Sequence, residues 1–347
     1  MTQTDDRPHN PHLPIRPDWL ARRQEEILDP ALPIIDPHHH LWVERGGTAY
    51  LRRDLLADMA EGHDIRATVF VECKARYRTG GEEAMRPVGE VEFVVAEAGA
   101  PEDGGPRIGA GIVGYCDLRL GAAAARVLQA QIAAGEGRFR GIRNTSAWHP
   151  DPSAWGSAVL PPPGLLLEPK FREGFAQLAP LGLSFDAWMF HTQPAELRDL
   201  ADAFPDTTII LNHIGGPLGI GPYAARRAFV FAEWRAEMQR LARHANVHVK
   251  LGGLGMRLFG FDVHAGEMPP SSQQLAAAWG PYIETCIELF GPERCMFESN
   301  FPMDKGSCSY AVLWNAFKRI TAGCTAAERA SLFHGTAARL YRLPPVT

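Results

Sequence analysis

Ile34-Ile35-Asp36-Pro37-His38-His39-His40-Leu41-Trp42 is a short apolar run that ends in three histidines. In extended backbone successive side chains alternate between faces, so His38 and His40 point one way and His39 the other. Two imidazoles on one side of a strand end can bind one divalent metal, or polarise a carbonyl without one. An open doubly wound sheet would want a glycine-rich phosphate turn after an early strand. This strand leads into histidines instead.

Outward from that stretch, short apolar runs at 33–37, 67–72, 108–115, 139–143, 183–189, 208–211, 247–251 and 294–297 read as strands buried on both faces. Helical patterns lie between them at 88–98, 122–134, 170–178, 194–203, 233–244, 275–289 and 311–321. Eight strands alternating with helices predict an α/β chain folded as a (β/α)8 TIM barrel. The barrel is expected as a single domain over residues 33–347. An extension over 1–32 precedes it: a loose tail to about residue 17, then a helix over 19–28 capped by Asp18 and ended by Asp29-Pro30. Three connections, 146–169, 214–227 and 252–274, are long, rich in glycine or aromatic residues, and follow strands. In a barrel they rise on the C-terminal face, where substrate lids are built.

Two further strand ends carry chemistry. Asn212-His213-Ile214-Gly215-Gly216-Pro217 ends a strand in a histidine before a sharp turn, which sets His213 at the same mouth as His38 and His40. Arg294-Cys295-Met296-Phe297-Glu298-Ser299-Asn300-Phe301-Pro302-Met303-Asp304 runs from the eighth strand into carboxylates able to activate water or take a proton.

Bulk properties narrow the function. The 347 residues carry 35 Lys and Arg against 40 Asp and Glu, and no basic run long enough to track phosphates, so nucleic acid is not an expected partner. The six cysteines are scattered without a CxxC pair and read as free thiols of a reducing compartment. The N-terminus lacks the apolar core of a signal peptide, and no stretch is apolar enough to span a bilayer. The expectation is a cytoplasmic enzyme with a small-molecule substrate, no membrane partner, and association into homo-oligomers left open.

The three motifs together resemble the amidohydrolase superfamily, more narrowly its amidohydrolase 2 branch of metal-dependent TIM-barrel hydrolases, and within it the lactonase-like group. The resemblance runs from about residue 33 to the C-terminus. It implies His38 and His40 at the first-strand pair and His213 at the sixth-strand histidine. It also places Arg140 and Arg143 at the fourth strand, where relatives hold anionic or carbonyl oxygens. His191, Trp42 and Glu72 are further substrate contacts on this reading. Lys250, near the end of the seventh strand, would pair either with charge in the site or with a neighbour in the wall.

One departure stands out. The superfamily usually ends its eighth strand with an aspartate that serves as general acid/base, and this chain has Asn300 there, which cannot exchange a proton usefully near neutral pH. Asp304 is the preferred substitute and Glu298 the second choice. A third option is chemistry that needs no such transfer. The cofactor expected is one divalent metal, zinc or manganese, on His38, His40 and His213, or none. The activity expected is opening of a lactone or similar cyclic ester of a small carboxylated organic acid. Metal-dependent decarboxylation of an aromatic or unsaturated acid, and ligand binding without catalysis, are the alternatives.

Overall fold

The computed structural model describes residues 13–45, 47–99, 105–156 and 160–343. Eight parallel strands follow one another in sequence order: β1 (Pro33–His39), β2 (Asp64–Val71), β3 (Arg107–Gly114), β4 (Phe139–Thr145), β5 (Ser184–Trp188), β6 (Ile209–Leu211), β7 (Val247–Leu251) and β8 (Cys295–Phe297). The ends meet through a bridge between His39 and Phe301, where His40 N donates to Phe301 O at 2.8 Å and Asn300 N to His38 O at 2.9 Å. Each strand is followed by one principal helix: α1 (Arg52–Met59), α2 (Val88–Ala98), α3 (Ala124–Ala134), α4 (Pro169–Phe175), α5 (Pro194–Ala203), α6 (Arg227–Leu241), α7 (Ser272–Phe290) and α8 (Tyr310–Ile320). This is the (β/α)8 barrel that the alternation predicts. Among the described residues no helix is long and apolar enough to cross a membrane. All six cysteines are free, and all but Cys324 are buried.

The pleat sorts the strand residues into two cores. Outward-facing residues such as Ile34, Phe70, Ile112 and Phe297 pack under the helices. Inward-facing Ile35, Val69, Val71, Val113, Ile210 and Met296 fill the barrel. From below, Ala337, Leu340, Tyr341 and Leu343 of the C-terminal segment close that inner cluster.

Strand β1 departs from simple alternation. Asp36 pairs with Thr68 and His39 with Phe70, so Pro37 and His38 together oppose the single Val69. This β-bulge changes the parity of the strand, and Pro37 suits it because proline has no N–H to give to a ladder. Without the extra residue the strand would continue Ile35, 37, 39 inward. With it, His38 and His40 face the barrel interior, and His39 faces out to Thr68 (2.9 Å) and the Phe70 ring.

Four features differ from the sequence expectation. Among the described residues of the N-terminal extension only Pro17–Leu20 is helical, and Asp18 sits inside its first turn instead of capping it. The residues after it are drawn out along the barrel by bonds to other elements: Glu25 accepts from Ser272 N, Asn315 accepts from Leu28 N, and Lys318 donates to the carbonyls of Leu28 and Asp29. The extension is also not loose from residue 13 onward. Arg16, Trp19, Arg22 and Arg23 each donate to a backbone carbonyl between His264 and Pro269, strapping the loop after β7. Residues 1–12 of the expected tail lie outside the described residues. The hairpin Trp42–Arg45 with Thr48–Tyr50, and helix α1 after it, have no counterpart in the expectation.

Candidate active site

At the C-terminal ends of the strands, His38 from β1, His213 just after β6 and Glu298 just after β8 converge. Glu298 Oε1 accepts from His213 Nδ1 at 2.7 Å and from His213 N at 3.2 Å. Its Oε2 lies 2.6 Å from His38 Nδ1. The His38 and His213 rings are 4.7 Å apart between centroids. One ligand atom from each of the three residues lies within 4.8 Å of the others, and all three residues are buried.

The backbone is shaped to permit this. His213 and Ile214 both have positive φ (51° and 48°), an uncommon conformation for a non-glycine residue and worse for a β-branched one. Gly215 and Gly216 complete the turn that holds the imidazole over the barrel axis. Across from it, a Cβ on Gly252 would strike Glu298, and one on Gly253 (φ 74°) would strike the His213 ring, so only glycines let the loop after β7 pass this closely.

Charge is packed around this trio. Arg143 (β4) donates through Nε to Glu72 Oε1 at 2.9 Å and through Nη2 to Glu72 O at 2.5 Å, and its Nη1 lies 3.3 Å from His38 Nε2. Lys250 (β7) is fully buried, with Nζ 2.7 Å from Asp186 Oδ2 and 3.4 Å from His38 Nδ1. Burial, with Lys250 and neighbouring groups adding to it, holds the His38 imidazole well below its ordinary pKa. His213 is also lowered by burial, with Glu298 working against the shift. Both rings are therefore neutral near pH 7 and keep a lone pair, as metal ligands must.

The trio fits a divalent ion. Two neutral imidazoles and a carboxylate are a suitable donor set, and Glu298 Oε2, fully enclosed and so near His38 Nδ1, has no donor aligned with it. His38, His213 and Glu298 thus form a candidate divalent-metal site.

The other expected residues are distributed as follows. His40 lies beside the trio, its ring 5.0 Å from that of His38, but its Nδ1 faces the Val71 carbonyl at 2.8 Å and it is not one of the clustered ligands. Trp42 stacks on His40 and has the Arg45 guanidinium 5.0 Å from its ring. Glu72 is the partner of Arg143. Arg140 is not brought to the mouth: it stands three residues before Arg143, on the opposite parity and about 10 Å lower along the strand. It lines a cavity with Arg107 and Arg138 at the strand starts. His191 lies in the loop cluster above, where Nδ1 accepts from Leu218 N and the ring meets Tyr223 edge-on.

Asp304 is fully buried, but its oxygens accept from Gly255 N (2.9 Å) and Asn300 Nδ2 (2.8 Å), and no contact joins it to the histidines among the described residues. Asn300, at φ 55°, directs its amide at Asp304. The carboxylate that meets the histidines is Glu298. Lys250, expected to pair with charge in the site or with a neighbour in the wall, pairs with Asp186; Asp186 and the wall formed by Trp188, edge-on to His213 at 4.8 Å, were not among the expected site residues.

Comparison with known proteins identifies the family and agrees with the fold. Residues 35–343 match the family model described as Amidohydrolase. The chain belongs to the amidohydrolase family. This amidohydrolase is 34% identical over 336 residues to the uncharacterized protein y4mH of Sinorhizobium fredii, covering 90% of this chain and 99% of that protein. It is 27% identical over 324 residues to L-fucono-1,5-lactonase of Burkholderia multivorans, covering 89% and 96% of the two chains. A crystal structure of an amidohydrolase from Burkholderia multivorans with bound zinc superposes with a TM-score of 0.67 at 25% identity, covering 90% of this chain and 99% of that one.

Proposed function

We propose that this amidohydrolase opens a lactone, or a similar cyclic ester of a small carboxylated organic acid, with water. The observation that carries the proposal is the Glu298 carboxylate set between two neutral histidines at the base of the mouth. The similarity to a curated sugar lactonase over nearly the whole chain supports the substrate class.

His38, His213 and Glu298 would hold the metal, which when bound lowers the pKa of water and polarises a carbonyl oxygen. Glu298 is also the carboxylate best placed to orient a water or hold its proton, because it already accepts from His213. His40, neutral and with Nδ1 turned to the Val71 carbonyl, keeps Nε2 as an acceptor for a hydroxyl. Arg143 is fixed by Glu72, so its remaining N–H groups approach a carboxylate or carbonyl oxygen in a preset orientation. Trp188, Phe190 and Phe259 on one side and Trp42 on the other exclude bulk water.

The test is a panel of sugar-acid and dicarboxylate lactones, assayed by proton release with chelator-treated and zinc- or manganese-reloaded protein. Metal-restored turnover of at least one carboxylated lactone is expected. Turnover of none, with carbon dioxide released from an aromatic acid, would replace hydrolysis by decarboxylation.

A further inference from the structure

Lys250 does more than line the barrel wall. A buried ammonium is unfavourable unless paired and hydrogen-bonded, and this one is held from several directions. Its Nζ donates to Asp186 Oδ2, and Asp186 in turn accepts from Asn212 Nδ2 at 2.9 Å. The Tyr341 hydroxyl lies 3.0 Å from each Asp186 oxygen. Tyr341 belongs to the C-terminal segment beneath the barrel, so the pair is held from below as well as by Asn212 just after β6.

The ammonium also faces the candidate metal ligands. Nζ is 3.4 Å from His38 Nδ1, the same nitrogen that lies 2.6 Å from Glu298 Oε2. Arg143 Nη1 approaches the other nitrogen, Nε2, at 3.3 Å. A neutral imidazole has one lone pair and one N–H, so it accepts from only one of these two cations. The other contact is therefore electrostatic. Among the described residues Asp186 touches none of His38, His213 and Glu298, so the Lys250–Asp186 dipole turns its positive end toward the ligands.

We propose that Lys250 is a built-in cation that restricts this centre to a single divalent ion and lowers its affinity for that ion. It is a positioning residue and not a ligand. A second dication near His38 would meet a fixed positive charge that Asp186, Asn212 and Tyr341 prevent from moving away. The proposal rests on the candidate metal site and is independent of which ester is hydrolysed.

The experiment is zinc titration of full-length, chelator-treated protein against a chromophoric chelator, with cobalt(II) absorption as a reading of coordination. The wild type is expected to take one zinc per chain, and Lys250→Met to bind zinc at least ~10-fold more tightly, the scale typical of outer-shell residues. Should Lys250→Met not fold, Lys250→Met with Asp186→Asn removes both charges, leaves no unpaired carboxylate, and is expected to move affinity in the same direction by less. Equal or weaker zinc binding by whichever variant folds would overturn the proposal. So would two zinc ions in the wild type, or none in either protein. These outcomes are read without a substrate, so they stand apart from failure of the lactone panel.

Discussion

Replacing Glu298 with glutamine changes one atom and one charge at the point where His38 and His213 meet. Arg143 is paired with Glu72 and Lys250 with Asp186, which leaves Glu298 as the carboxylate of the trio itself. Glu298→Gln takes that carboxylate away and leaves both ion pairs in place. The substitution also loses two close approaches of charged oxygen to imidazole nitrogen, at 2.6 and 2.7 Å. Only the His213 contact is an aligned hydrogen bond; a hydrogen bond to a charged group contributes about 1.5–3 kcal/mol. If it stabilises the metal-loaded or transition state, the loss is about 10–10²-fold in zinc affinity or in kcat/KM.

Circular dichroism would establish that the variant is folded, chelator competition would give its zinc affinity, and the lactone panel its turnover. His213 supplies an internal check, because Glu298 is the group that opposes the downward pull of burial on its pKa. In the variant that opposition is gone, and the His213 ring resonances should show no titration even at a pH where the wild type begins to protonate. Zinc affinity and turnover both within ~3-fold of wild type, well below the range expected for a lost ligand, would refute the assignment of Glu298 to the centre.

Arg143→Lys keeps the charge but not the fork that grips Glu72, and is expected to lower kcat/KM by ~10–100-fold, read on the best lactone; an unchanged value would remove Arg143 from substrate positioning. Tyr341→Phe loses the hydroxyl donor to Asp186 and should lower unfolding stability by about 1–3 kcal/mol, measured from urea midpoints. Asp304 is pushed up to about 8 by burial, with the Glu298 charge adding, against 3.8 for an ordinary aspartate. The folded protein therefore holds that proton more tightly than the unfolded chain. The stability this gives is complete below pH ~4 and is lost as pH rises through ~8. Asp304→Asn should flatten the decline in urea midpoint between pH 5 and 8 and leave turnover within ~10-fold of wild type. A 100-fold loss of turnover would instead make Asp304 the general base.

Much of the fold was legible because each strand is a short apolar run and each connection has helical periodicity. The histidines were legible because strand ends are where barrels build sites. Ionic pairs across the barrel were not. Lys250 and Asp186 lie 64 positions apart and each looks, in sequence, like a polar residue in a strand wall; only closure of the barrel sets their side chains 2.7 Å apart. Arg140 and Arg143 looked equivalent as a fork, yet three residues along a strand is an odd step, and one of the two had to face away. The N-terminal strap was hidden for a related reason. Its donors bond to backbone carbonyls between His264 and Pro269, and a carbonyl leaves no mark on the sequence.

The order of the two carboxylates follows from backbone geometry that composition does not encode. Met296 faces the barrel interior, and Glu298, two residues on, keeps its parity and enters the site. The chain then turns at Asn300 into positive φ, and Asp304 N bonds back to Asn300 O at 3.2 Å. That turn carries the Asp304 carboxyl toward Gly255 and the Asn300 amide, away from the histidines. An asparagine suits this place because it tolerates left-handed backbone and its amide can donate to Asp304. What looked like a lost catalytic aspartate at position 300 is, on this geometry, the hinge of a support. Asp304 and Asn300 fix the loop after β7 through Gly255, and that loop supplies Gly252 and Gly253 at the edge of the site. The carboxylate that meets the histidines at the end of the eighth strand is Glu298, two residues upstream of Asn300.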